Sequence, residues 1–243
     1  MPQAQVHSQP PGPLRSAIAC SLLVPTTLAM AAAIIVPTRT YTDNPVSIAE
    51  KTLKTIVLAS SSPRRRDLLH SIGLRFKVEP GGSEEDASLA LEPHQLAQTI
   101  SLRKARFVAR RHKNALVIGA DTLGLLGSRI LGKPHTEKEA ADMLTAIAGK
   151  SHSVITGFTI IDADTGKTVS RSVETKVFIR TLATSEIEAY VRSKEPLDKA
   201  GAYAIQGLGA ILVERIEGDY SNVVGLPLCA LTEALKEFGV NVL

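Results

Sequence analysis

The sequence predicts an α/β fold built on a mixed sheet. Short apolar, β-branched runs recur at 55–60, 115–120 and 154–161, and each reads as a buried strand. Between them stand stretches with an apolar face at helical spacing, above all 93–112, which read as amphipathic helices. The two kinds alternate without a regular βαβ period, and this argues against a plain doubly wound sheet.

The elements follow in order. After the first strand, Ser62 reads as an N-cap and Pro63 as the first helical position. Leu68, Leu69 and Ile72 give that helix its apolar face, and Gly73 stops it. Residues 74–79 read as a second strand and 80–83 as a loop. In the long helix that follows, Leu96, Ile100, Ala105 and Val108 point inward. The strand at 115–120 leads into a hairpin through Gly127 and Ser128. Thr136 caps the next helix with Glu139 as capping-box partner. Residues 154–161 and 168–179 read as strands paired around Asp164-Thr-Gly166. A short helix at 185–191, a strand at 210–216 and a closing helix at 227–238 complete the chain. There is no internal repeat.

Composition narrows the function. Hydrophobic residues are 44% and charged residues 21% of the 243, ordinary for a globular protein with a sizeable core. Aromatics are only 4% and Trp is absent, so ring-stacking platforms for single-stranded nucleic acid do not dominate. A net charge of +4 suits an anionic ligand without demanding nucleic acid. Cys20 and Cys229 match no metal or redox spacing, and this fits a reducing compartment.

Three segments can carry chemistry. Ser60-Ser-Ser-Pro-Arg-Arg-Arg66 lies between a strand and a helix, where backbone N–H groups and the helix dipole attract phosphate. The Ser60 and Ser62 hydroxyls and the Arg64 and Arg65 forks add matching donors; a solvated basic helix start is the plainer reading. Glu84, Glu85 and Asp86 form an acidic loop, either solvated or able to share a divalent ion with a triphosphate. Asp121 and Thr122 end the third strand, where α/β enzymes often place reactive groups and where an Asp also caps turns. Lys133 stands a hairpin away and can return a cation to the same cleft. No His pair has metal-ligand spacing and no catalytic triad is evident. The chemistry that remains is carboxylate-assisted and phosphate-directed.

Taken together, these segments resemble the Maf family. The matching stretches are 58–65, 84–85, Lys104-Ala105, Gly119-Ala-Asp-Thr122, Gly132-Lys-Pro134, Ile155-Thr-Gly157, 195–203, Ile205-Gln-Gly207 and 224–228. The resemblance implies a mixed-sheet fold related to inosine triphosphatase, with two lobes around a cleft. It implies a homodimer, a Mg²⁺ or Mn²⁺ cofactor and hydrolysis of nucleoside triphosphates to monophosphate and pyrophosphate. It assigns Asp121 as the proton acceptor, Glu85 and Lys133 as catalytic partners, and Glu85 and Asp121 as metal ligands. Phosphates fall to Ser60, Ser62, Arg64, Arg65, Lys104 and Lys133, with Asp198 and Lys199 left outside the site. Arg64, Thr122 and Gln206 match the branch that prefers dTTP and UTP over 7-methyl-GTP. A regulatory septum-formation inhibitor and an enzyme for modified nucleotides are the alternatives.

Residues 1–52 fall outside this match and form a separate N-terminal extension. Residues 1–42 carry no Asp or Glu, and Ala17–Val36 is an uncharged run of twenty residues broken by Pro25. Its length is about that of a membrane span, and Ala29-Met-Ala31 resembles a signal-peptide cleavage site. The extension reads as a targeting segment, an anchor or a misassigned start, with Met30 an alternative beginning. The catalytic domain at 53–243 is expected to be cytoplasmic.

Overall fold

The computed structural model of the chain describes residues 54–82 and 90–243. The expectations for residues 1–52 and for Glu84, Glu85 and Asp86 therefore lie outside the described residues. The strands are β1 (Thr55–Leu58), β2 (Lys77–Val78), β3 (Ala115–Leu126), β4 (Arg129–Leu131), β5 (Ser151–Asp162), β6 (Thr168–Ile179) and β7 (Val213–Glu217). The helices are α1 (Pro63–Ser71), α2 (Pro93–Ala109), α3 (Glu137–Ile147), α4 (Thr184–Arg192), α5 (Tyr220–Val224) and α6 (Leu228–Lys236).

The mixed sheet expected from the sequence is present. Its seven strands run β2-β1-β3-β5-β6-β7, with β4 paired to β3. β1 is parallel to β2 and β3, whereas β3, β5, β6 and β7 pair antiparallel. Alternation along the strands sorts side chains to two faces. Leu58, Leu116 and Ile118 join Leu69 of α1 and Leu231 of α6 in one core. Val57, Val117 and Ile161 face Ala105 and Val108 of α2 on the other side. A further core gathers Leu144, Ile147, Val177, Ile187 and Tyr190 around α3 and α4.

Two glycines set how closely α2 lies on the sheet. A Cβ at Gly119 would stand 2.3 Å from the Ser101 carbonyl oxygen, and one at Gly157 2.3 Å from the Ala97 carbonyl carbon. Only glycine permits that approach. Gly157 is the register partner of Asp121, so the close approach brings α2 directly over the third strand's acidic residue.

Several boundaries differ from the sequence reading. Asp121 and Thr122 do not end the third strand; β3 continues to Leu126 because β4 and β5 both pair with its far half. Only Lys77 and Val78 of 74–79 form a strand, since β1 offers just two register partners there. The strand expected at 210–216 begins only at Val213, after a 3₁₀ segment at Gly207–Leu212. That segment starts at a positive-φ glycine, Gly207, a conformation strands do not use. At α3, Thr136 Oγ1 accepts from the Glu139 N–H as expected, but the Glu139 carboxylate returns to the His135 N–H.

Candidate active site

β1 pairs with β3 as far as Ile118, and β4 pairs with it from Gly124. Among the described residues, positions 119–123 of β3 thus have no strand partner on that edge, and a cleft of about 940 Å³ opens there. It lies between the α1 side and the segments carrying Leu131, Asp198 and Gln206. A volume of this size accommodates a nucleotide-sized ligand. The cleft expected from the resemblance is therefore present.

Every described residue placed in the site by the sequence lines this cleft: Ser60, Ser62, Arg64, Arg65, Lys104, Asp121, Thr122, Lys133 and Gln206. Glu85 belongs to the segment outside the described residues. Asp198 and Lys199, left out by the sequence reading, line the cleft as well.

Asp121 and Thr122 are neighbours on a strand and so point to opposite faces. Asp121 turns toward α2, where Lys104 Nζ donates to its Oδ1 at 2.7 Å. Both side chains are largely buried, at 12% and 9% exposure for Lys104 and Asp121, so water screens the pair poorly. Thr122 turns the other way, toward α1 and α5. There Arg65, itself buried, donates from Nε to the Gly225 carbonyl at 2.8 Å. It also donates from Nη1 to Ser60 Oγ at 3.1 Å and from Nη2 to Thr122 Oγ1 at 3.0 Å. Arg65 is thus a brace joining the serine loop, β3 and the turn after α5, as well as a cation in the wall. Arg64 lies 3.7 Å from Asp198, which Lys199 holds at 2.5 Å.

Ser62 precedes α1 in extended conformation, with Pro63 in the first turn, and makes no side-chain cap hydrogen bond. Its hydroxyl is not drawn onto the helix's own N–H groups, and the helix start keeps the anion-attracting character expected of it. Around it the described lining carries Arg64, Arg65, Lys104, Arg111, Lys133 and Lys199 against Asp121 and Asp198. That balance favours an anionic ligand.

The sequence reading missed His152 and Tyr203 in the same wall. The rings meet edge-on at 5.3 Å, with His152 Nε2 and the Tyr203 hydroxyl 2.8 Å apart. Burial pushes the His152 pKa down to about 4. A lone histidine with no partner at recognisable spacing gives no signal in sequence. Because His152 is more readily protonated in the unfolded chain, stability falls as pH is lowered from about 6.5 toward about 4. Urea unfolding across that window should show the fall, and His152→Gln, neutral throughout, should flatten it. Identical profiles would show that His152 carries no such linkage.

Comparison with known proteins decides the family. A family model for Maf-like protein matches residues 55–238. The chain belongs to the Maf family. A dTTP/UTP pyrophosphatase of Pelotomaculum thermopropionicum is 48% identical over 191 residues, covering 79% of this chain and 100% of the relative. One from Moorella thermoacetica is 49% identical over 187 residues, covering 77% and 96%. One from the species Methanococcoides burtonii is 48% identical over 191 residues, covering 78% and 98%. Among solved structures, a HAM1 protein from Coxiella burnetii aligns over 76% of this chain and 100% of its own at 17% identity and TM-score 0.43. Likeness at that level carries no weight here; the Maf assignment rests on the sequence matches.

Proposed function

We propose that this Maf protein hydrolyses dTTP and UTP to the monophosphate and pyrophosphate. The observation that carries the proposal is the Lys104–Asp121 pair, buried at 2.7 Å in a cleft whose charged lining is otherwise mainly cationic. A binding module has no need of a carboxylate there. The names of the relatives, dTTP/UTP pyrophosphatase, support the substrate and the bond cut.

In this reading the triphosphate lies along Ser60, Ser62, Arg64, Lys104 and Lys133. Asp121 accepts a proton from water attacking the α-phosphorus, and pyrophosphate leaves toward the cationic wall. Lys104 orients the carboxylate, and Lys133 offsets charge that builds on the leaving group.

A divalent cation, Mg²⁺ or Mn²⁺, belongs to the proposal. Among the described residues no cluster of three or more His, Cys, Asp or Glu could hold a metal ion. The donor set still fits, since Mg²⁺ is commonly held by one or two carboxylates plus substrate phosphates and water. Asp121 would supply one carboxylate and Glu85 the second. When bound, the ion supplies charge neutralisation on the phosphate oxygens. A homodimer and a cytoplasmic location rest on the family resemblance. Among the described residues no helix is long and apolar enough to cross a membrane.

Competition among dTTP, UTP, GTP and 7-methyl-GTP in one reaction tests the base preference. The two pyrimidine nucleotides are expected to lead in kcat/KM, and Gln206→Glu to erode their lead, because Gln206 then loses its amide donor. A clear win for 7-methyl-GTP would contradict the base assignment and leave the family unchanged.

A further inference from the structure

Hydrogen-bond direction can be traced along one buried line of groups behind the cleft. Arginine has only donors, so Arg65 Nη2 donates to Thr122 Oγ1 at 3.0 Å. At the far end the Asn222 carbonyl only accepts, and Thr156 Oγ1 donates to it at 3.0 Å. Asn222 is held in place by its own Nδ2, which donates to the Val154 carbonyl at 3.0 Å and to Thr175 Oγ1 at 2.9 Å. Thr156 is fully buried and its hydroxyl has a single proton. With that proton committed to Asn222, the 2.9 Å bond between the two threonines runs from Thr122 to Thr156. The reverse direction would take the Thr156 proton from its 3.0 Å bond to Asn222 and leave the Thr122 proton only the long 3.4 Å contact with the Gly225 carbonyl. With Thr122 donating to Thr156, it keeps no proton for a ligand and presents a single open lone pair.

We infer that Thr156 is a positioning residue that fixes Thr122 as a hydrogen-bond acceptor toward the cleft, selecting a base edge that presents a donor. The N3–H of uracil and thymine is such a donor. Cytosine has a bare N3, which would set lone pair against lone pair, and a polar site left unpaired rejects an analogue strongly. The relay therefore discriminates UTP from CTP, two nucleotides with the same ring size, sugar and phosphates. This rests on the proposed reading, in which Thr122 meets the base of a pyrimidine nucleotide.

The test is kcat/KM for UTP and CTP with the full chain and its Thr156→Val and Thr156→Ser variants. Valine keeps the shape and removes the acceptor for the Thr122 proton, which then becomes available to cytosine N3. The UTP:CTP ratio is expected to fall about tenfold, the worth of about one neutral hydrogen bond, while serine keeps the ratio. A purely structural role for Thr156 would slow both nucleotides alike and leave the ratio unchanged. Should Thr156→Val not fold, Thr122→Val is expected to lower the UTP rate and spare CTP. A folded Thr156→Val enzyme with the wild-type ratio overturns the inference and leaves the pyrimidine reading standing. Wild-type enzyme that treats UTP and CTP alike overturns the base-recognition reading itself, and the inference with it.

Discussion

Asp121→Asn is expected to lower kcat by about 10²–10⁴-fold, the usual loss when a general base is removed. The amide keeps the size of the carboxyl, and its oxygen can still accept from Lys104, now 2.7 Å from Oδ1. What it loses is the ability to take a proton at neutral pH. Steady-state kinetics on protein with an unchanged circular dichroism spectrum would check this. A folded variant with near-normal kcat would reduce Asp121 to a counter-ion for Lys104 and place the base elsewhere.

The second large effect is expected at Arg65. Its buried guanidinium joins the Gly225 carbonyl, Ser60 and Thr122, which come from three separate parts of the chain. Arg65→Lys keeps the charge but cannot span three acceptors lying in different directions. Leaving a buried carbonyl unsatisfied costs about 1–3 kcal/mol, and the two hydroxyls lose a charged donor besides. We expect a lower urea midpoint, corresponding to a stability loss of about 2–4 kcal/mol in total, and a loss of kcat/KM beyond any change in folded fraction. A lysine variant as stable and active as the parent would show that the brace is dispensable.

Much of this was legible before the structure, for physical reasons. The short apolar runs at 55–60 and 115–120 read as buried strands, and the faces of α1 and α2 followed from their spacing. Site residues were legible where chemistry sits in a short local pattern, such as the serine loop running into a proline and arginines. Relations across the sheet were not. Nothing in sequence places Lys104 over Asp121, because the approach depends on two glycines in β3 and β5 taking the weight of α2. Nor does it show that Arg65 reaches Gly225, or that Thr156 and Asn222 support Thr122. The motifs Ile155-Thr-Gly157 and 224–228 marked Thr156 and Gly225 without giving them a role. The far half of β3 was not legible because Asp121 and Thr122 interrupt its apolar run, although β5 pairs with it past them and β4 joins from Gly124.

The most direct test of the central claim is hydrolysis of UTP in heavy-oxygen water, with Mg²⁺ or Mn²⁺ present and the products separated and weighed by mass spectrometry. Attack at the α-phosphorus by water activated at Asp121 predicts labelled UMP and unlabelled pyrophosphate in equal amounts. Label in the pyrophosphate, or the appearance of UDP with orthophosphate, would contradict it.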